Sequence, residues 1–186
     1  MTRRARWAGV AAGVCLLGLA TGCAHDPSVA FVVGGTTVTE QQVTEAAESC
    51  ARSFRAAGAS ADLTADDVRS GILTNQIFGA VGAAIAQRTG TTVSEDERVA
   101  ALNDLGDRGA VFTNDPLCRE VALDVMAYST LINDMSKTDP MAFANQVDAL
   151  DITVNPRYGQ VDRQGIATGG DAFTGSGSLS VLYAKP

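Results

Sequence analysis

Residues 31–43 read FVVGGTTVTEQQV, and this short stretch predicts a strand, a turn and the start of a helix. The aromatic and β-branched residues at 31–33 favour a strand, and the two glycines after them favour a turn. Thr36 to Val38 can then form a second strand that pairs with the first. Thr39 and Gln42 have the spacing of a capping box, in which the hydroxyl and the amide satisfy backbone donors at a helix start. The stretch therefore predicts a small hairpin that leads directly into the first helix.

Downstream of this hairpin, apolar residues recur at the spacing of three and four that is typical of helices. Five helices are expected, beginning near Thr39, Thr64, Ser94, Asp115 and Asp139. The second is apolar nearly all round in its second half, which predicts burial between other elements. In the fourth, a capping aspartate precedes a proline at the first helical position. The expected inner stripe of this fourth helix consists of Leu117, Val121, Val125, Tyr128 and Leu131.

The character of the sequence changes after Leu150. Asp151 to Val154 predicts a strand by its alternation and β-branched residues, and Asn155 to Gly159 has the composition of a turn. Gly165 to Ser178 is rich in glycine, serine and threonine, which predicts a mobile loop. Leu179 to Tyr183 is expected to form a closing strand. Together with the helices, these segments predict a mainly α-helical protein with a few short strands.

The N-terminus has the organisation of a secretory signal. Three arginines precede an apolar segment, Trp7 to Ala20, whose length is typical of a removable signal and not of a membrane span. The run Leu19 to Cys23 ends in small residues and a thiol, and it resembles a bacterial lipobox, although Ala20 stands where leucine is usual. The resemblance implies a signal peptide over residues 1–22, lipid attachment at Cys23 and a tether over residues 23–30. A soluble secreted protein and an uncleaved anchor are the alternatives.

Removal of the signal peptide would make the chain more acidic. The signal contains 3 of the 14 basic residues and none of the 21 acidic ones, which leaves 11 basic against 21 acidic residues and a net charge of about −10. Nucleic acids and anionic lipid surfaces both require basic patches, so neither is an expected partner. The expected membrane contact is the lipid alone, at the extracytoplasmic face of the cell membrane. The remaining chain has the length of one domain.

Two cysteines remain for the folded part once Cys15 leaves with the signal and Cys23 carries lipid. Cys50 and Cys118 are predicted to form a disulfide, because an exported protein meets an oxidising environment. The alternative is two buried thiols that behave as small apolar residues. A bond across a loop of this length contributes about 4 kcal/mol in the chain-entropy model. Redox catalysis is not expected, because the chain has no pair of cysteines with Cys-x-x-Cys spacing.

Residues suited to catalysis are scarce. The only histidine, His25, falls in the tether, so histidine-based triads and zinc sites are poorly supported. The glycines around Gly79–Gly82 and Gly169–Gly170 lack the spacing of a phosphate-binding loop. The carboxylates at Glu95–Glu97 and Asp66–Asp67 are explained as caps at helix starts. The sequence therefore predicts no enzyme, no cofactor and no metal.

Three segments resemble the N-terminal helical domain of extracytoplasmic foldases of the SurA and PrsA type. Residues 32–43 are similar to the opening strand, glycine turn and first helix of that family, with Gly34 where asparagine is usual. Residues 68–97, which end in Gly90-Thr91-Thr92-Val93-Ser94-Glu95-Asp96-Glu97, resemble its long apolar helix and the motif that follows. Asp151 to Gly159 resembles its returning strand. The resemblance implies a helical bundle over residues 31–160 in which N- and C-terminal strands pair, followed by a loop and closing strand over residues 161–186.

One departure from the family limits what the resemblance implies. Its members usually carry a parvulin-type prolyl isomerase domain before the returning strand, whereas here only residues 106–150 are available and most of them have helical patterns. Prolyl isomerase activity is therefore not expected. The high alanine content and the preference for arginine over lysine are typical of GC-rich organisms such as actinobacteria.

These observations predict a lipid-anchored envelope protein with chaperone-like binding of unfolded polypeptides or envelope partners. One alternative is a small-ligand receptor with a pocket between the second and fourth helices, and another is a structural accessory subunit of an envelope complex. A concave apolar groove would favour the chaperone, and an enclosed pocket with convergent polar groups would favour the receptor.

Overall fold

The computed structural model describes residues 26–174. The predicted signal peptide, Cys23, His25 and the closing strand at Leu179–Tyr183 lie outside the described residues. Within the described range no helix is both long and apolar enough to cross a membrane.

The described part of the chain is mainly helical with short antiparallel strands, as predicted. Its α-helices are α1 (Glu40–Ala56), α2 (Ala65–Thr89), α3 (Glu95–Asp104), α4 (Asp107–Ala110), α5 (Pro116–Thr138), α6 (Ala142–Asp148) and α7 (Arg163–Thr168). Its strands are β1 (Val29–Val33), β2 (Thr36–Thr39), β3 (Ile152–Val154), β4 (Gln160–Val161) and β5 (Phe173–Thr174).

A three-stranded antiparallel sheet joins the two ends of the helical region. Its order is β2-β1-β3, with Val33 opposite Thr36 in β2 and Val32 opposite Thr153 in β3. The predicted hairpin and the predicted pairing of the returning strand are confirmed. Gly34 in the hairpin turn has a φ of +55°, and an added Cβ would lie 3.0 Å from the Cβ of Ala84. Both features explain why this turn carries glycine, since side chains disfavour such a φ.

The predicted helix starts are confirmed where local chemistry decides them. Thr39 with Gln42, and Ser94 with Glu97, form complete capping boxes, and Thr64 forms a third with Asp67. The Asp115 side chain accepts a hydrogen bond from the backbone of Leu117 at the start of α5. These side chains satisfy backbone donors that would otherwise lack partners. The carboxylates of Asp67 and Glu97 therefore act as caps, as the sequence predicted.

Helices α2 and α5 approach each other closely through two glycines. A Cβ at Gly79 would lie 2.8 Å from the Cβ of Asp124, and one at Gly82 would lie 3.0 Å from the Cα of Tyr128. The Tyr128 ring stacks on Phe78 with centroids 4.7 Å apart and meets the edge of Phe143 at 5.4 Å. The glycines thus explain how the largest buried side chain of the core fits between two helices.

The described part of the predicted loop at Gly165–Ser178 corrects one prediction, because residues 165–174 contain most of α7 and all of β5, while residues 175–178 lie outside the described residues. Asp162 caps α7 by accepting a hydrogen bond from the backbone of Gly165. Ile166 is fully buried, and its carbonyl accepts a hydrogen bond from the Tyr128 hydroxyl. Burial raises the pKa of Tyr128 to about 12, so the phenol keeps its proton. Glycine-rich composition predicted flexibility here, but a buried anchor residue decides the structure.

Smaller corrections concern element boundaries. Leu117 is 43% exposed while Cys118 is fully buried, so the inner stripe of α5 is offset by one residue at its start. A spacing of three or four from Val121 permits either residue, and the bond to α1 selects Cys118. A short helix, α4, lies between α3 and α5 and is not one of the five predicted helices, and β1 begins at Val29 within the predicted tether.

Candidate functional site

The predicted cysteine pair joins α1 to α5. Cys50 and Cys118 form a disulfide with their Cα atoms 4.7 Å apart, and both are fully buried. They lie in an apolar cluster with Ala46, Ile72 and Val121. The structure is therefore consistent with the predicted pairing, and the bond acts as a covalent link inside the bundle and not as an exposed redox group.

Two buried serines lie beside the disulfide, and their hydrogen-bond partners indicate a structural role and not that of nucleophiles. The Ser49 hydroxyl donates to the Asp115 carboxylate and accepts from the backbone of Cys118 at 2.9 Å. The Ser53 hydroxyl donates to the Val111 carbonyl at 2.7 Å. The hydrogen bond from Ser49 holds the pKa of Asp115 below its usual value, with Arg52 adding to the effect. These contacts attach the start of α5 to α1.

A second polar cluster fastens α1 to α2 and to the turn after β3. One carboxylate oxygen of Glu40 accepts from the Tyr158 hydroxyl at 2.6 Å and from Arg69 at 2.7 Å, and the other pairs with Arg157. Burial opposes ionisation of Glu40, but the hydrogen bonds from Tyr158, Arg157 and Arg69 outweigh it and lower its pKa. Because every residue of this Glu40 cluster has partners within it, the cluster links α1, α2 and the turn after β3 and is not an open binding site.

The Glu40 cluster predicts that stability depends on pH. The lowered pKa of Glu40 means that its contribution is present above about pH 4.5, the usual value for this side chain, and is lost as the pH falls through the lower folded-state value. We expect Glu40→Gln to reduce the free energy of unfolding by about 1 kcal/mol at pH 7, with the difference shrinking as the pH falls below about 4.5. Urea unfolding of both proteins between pH 7 and 3 measures this, and parallel curves would contradict it.

A cleft lies between α2, α3 and α5, and charged side chains of α3 and α5 line it. Its volume is about 250 Å³. Gly79, Gly82 and Ala83 of α2 line it with little more than backbone, and Val93 and Leu131 add apolar walls. The same glycines that let α5 approach α2 therefore leave the cleft open beside the contact. Another hollow of about 400 Å³ lies near the end of α1 and residues 107–114, but Asp107 is its only charged lining residue.

Arg98 of α3 and Asp124 of α5 face each other at the cleft. The Arg98 Nη1 lies 3.5 Å from the Asp124 Oδ1, which is long for an ion pair with hydrogen-bond character. Within residues 26–174 the buried Nε of Arg98 has no hydrogen-bond partner. Burial raises the pKa of Asp124, the charge of Glu120 raises it further, and Arg98 opposes both. The pair is therefore loose, and both groups retain capacity for other partners.

Sequence reasoning predicted a pocket between the second and fourth helices as one alternative, but it did not single out Arg98 or Asp124. A signal for both was present. Asp124 lies three residues after Val121 and four before Tyr128, and Arg98 lies four before Leu102, so each charge borders an apolar stripe. A charged side chain at the border of a buried helix face is unusual, and it indicates a place where that face is open to solvent or to a ligand.

Comparisons of the chain with protein-family models, with curated proteins and with solved structures found no match. Among the residues that the structure describes, no group of three or more histidine, cysteine, aspartate or glutamate side chains could hold a metal ion.

Proposed function

We propose that this protein is a lipid-anchored protein of the extracytoplasmic membrane face that binds a small charged ligand in the cleft between α2, α3 and α5, without catalysis. The observation that carries the proposal is the loose Arg98–Asp124 pair at the wall of a cavity of about 250 Å³. Binding sites for drug-sized molecules span about 300–1,000 Å³, so the ligand is smaller than these.

The binding function is tested on the full chain purified in detergent. We expect hydrogen exchange to slow in peptides covering residues 79–98 and 120–131 with at least one of four probes: acetate, phosphate, an alkylamine or a free amino acid. Ala83→Phe, which fills the cleft from an exposed helix position, should abolish the protection. Ala100→Phe is the matched control, since it is also an exposed helical alanine but does not line the cleft. Protection by no probe, or protection that survives Ala83→Phe, would contradict the proposal.

The anchor rests on the lipobox-like run that ends at Cys23. We expect Cys23→Ser to abolish incorporation of labelled fatty acid and to move the protein from the membrane fraction to the medium, because the lipid is the proposed attachment. Fractionation and labelling of cells that express either form measure this. Unchanged membrane association of the variant would overturn the anchor and leave the cleft to be judged separately.

Chaperone-like binding of unfolded or envelope polypeptides is the second candidate. The pairing of β1 with β3 favours it, since this is the arrangement that a helical bundle of the SurA N-terminal type implies. Against it, Leu117 and Met141 are the only strongly exposed large apolar residues in the described range, at 43% and 59%. Suppressed aggregation of an unfolded model protein, with unchanged prolyl isomerisation, would support this candidate over the ligand.

A further inference from the structure

We propose that the ligand of the cleft is a zwitterion, a free α-amino acid with a small aliphatic side chain, held through its carboxylate by Arg98 and through its ammonium group by Asp124. This inference rests on the proposed function and adds the ligand's chemical class.

The unused donors of Arg98 favour a carboxylate. Its guanidinium carries five N–H donors in a planar fork, which matches the two oxygens of a carboxylate. In the described structure the group makes one contact at 3.5 Å, to Asp124, while the buried Nε is left without a partner. A carboxylate that accepts from this fork would supply charge-assisted hydrogen bonds that the protein itself does not provide.

The other wall of the cleft favours an ammonium group. Asp124 is half-exposed, and its Cβ packs against α2 at Gly79, which places the side chain at the cleft. Glu120, one turn earlier on α5, adds a second negative charge that acts on Asp124. A cation beside Asp124 would offset both the partial burial and this repulsion.

Charge complementarity selects a ligand that carries both groups. A simple anion would gain Arg98 but face Asp124, and a simple cation would gain Asp124 but face Arg98. A zwitterion that lies in the cleft alongside the Arg98–Asp124 pair presents its carboxylate to Arg98 and its ammonium group to Asp124, and so adds two short ion pairs to one long one. The remaining lining is alanine and glycine together with Thr91, Thr92, Val93 and Leu131, so it offers no further charge, and Val93 and Leu131 provide apolar contacts for an aliphatic side chain.

The experiment is calorimetric titration of the full chain in detergent with L-leucine and two analogues of matched shape. 4-Methylpentanoate lacks the ammonium group, and 3-methylbutan-1-amine lacks the carboxylate. We expect L-leucine to bind and each analogue to bind at least tenfold more weakly, since each leaves one charged wall without its partner. Arg98→Gln and Asp124→Asn should each weaken L-leucine binding at least tenfold, and Ala100→Phe should leave it unchanged.

The outcomes separate this inference from the function on which it rests. If either analogue binds as tightly as L-leucine and Ala83→Phe removes that binding, the zwitterion is overturned while a small-ligand site stands. If L-leucine binds equally well to Arg98→Gln and Asp124→Asn, the assignment of these two residues is overturned. If neither L-leucine nor any of the four exchange probes binds at the cleft, both proposals fall. The analogues need no variant, so the test does not depend on how well a substituted chain folds.

Discussion

Replacing Cys50 and Cys118 together with alanine is expected to lower the free energy of unfolding by about 4 kcal/mol. The bond closes a loop of 68 residues in the sequence. In the chain-entropy model its loss raises the conformational entropy of the unfolded chain, and so lowers the free energy of that state by about this amount. Domains are stable by only about 5–15 kcal/mol, so the change removes a large share of the total. The two sulfur atoms are also fully buried, which adds a small packing loss. Equilibrium urea unfolding without reductant measures the difference.

The single variants provide the control for this prediction. Because the bond needs both sulfur atoms, Cys50→Ala and Cys118→Ala should each cost nearly as much as the double variant, and their effects should not add. Reductant should destabilise the original chain and leave the double variant unchanged. Additive single effects, or a double variant that still responds to reductant, would show that stability does not depend on this bond.

Gly82→Ala is expected to lower the free energy of unfolding by about 1–3 kcal/mol, although alanine is the better helix former. The added Cβ would lie 3.0 Å from both the Cα and the Cβ of Tyr128, and a backbone atom of α5 cannot move aside as a flexible side chain can. The strain would separate α2 from α5, which form the centre of the core. Thermal and urea unfolding followed by circular dichroism measure the change.

Gly71→Ala is the matched control, because Gly71 lies in the same helix with nothing within 4 Å of its added Cβ. There the substitution removes only the flexibility of glycine, and we expect a gain of about 0.5–1 kcal/mol. The two glycine-to-alanine changes should thus have opposite signs within one helix. Equal signs would mean that the close approach of α2 and α5 does not determine stability.

The sequence predicts best those features that depend on near neighbours. The glycine turn at Gly34 and Gly35 and the capping boxes at Thr39 and Ser94 are local, and all are confirmed. The pairing of β3 with β1 spans most of the chain, and only the resemblance to a foldase family suggested it. Local chemistry carries no information about such distant partners.

The errors have the same physical origin. Composition at Gly165–Thr174 predicted flexibility, but the hydrogen bond from Tyr128 to Ile166 and the burial of Ile166 order that segment from a distance. The candidate site was missed for a related reason. Arg98 and Asp124 are 26 residues apart and meet because α3 and α5 pack together, which no spacing in the sequence encodes.

The position of β1 in the middle of its sheet has a mechanical consequence under the proposed lipid anchor at Cys23. A pull on the proposed lipid at Cys23 would act on β1 from its Val29 end, just after Ser28, whose carbonyl accepts a hydrogen bond from the backbone of Glu40. β1 is bonded to β2 on one side and to β3 on the other, so a force along the strand loads both ladders together in shear. An edge strand pulled in the same direction would load only one ladder. With the proposed anchor, two strand ladders would hold the end of the domain nearest the lipid, and the sheet would carry tension from the membrane before the helices around the cleft.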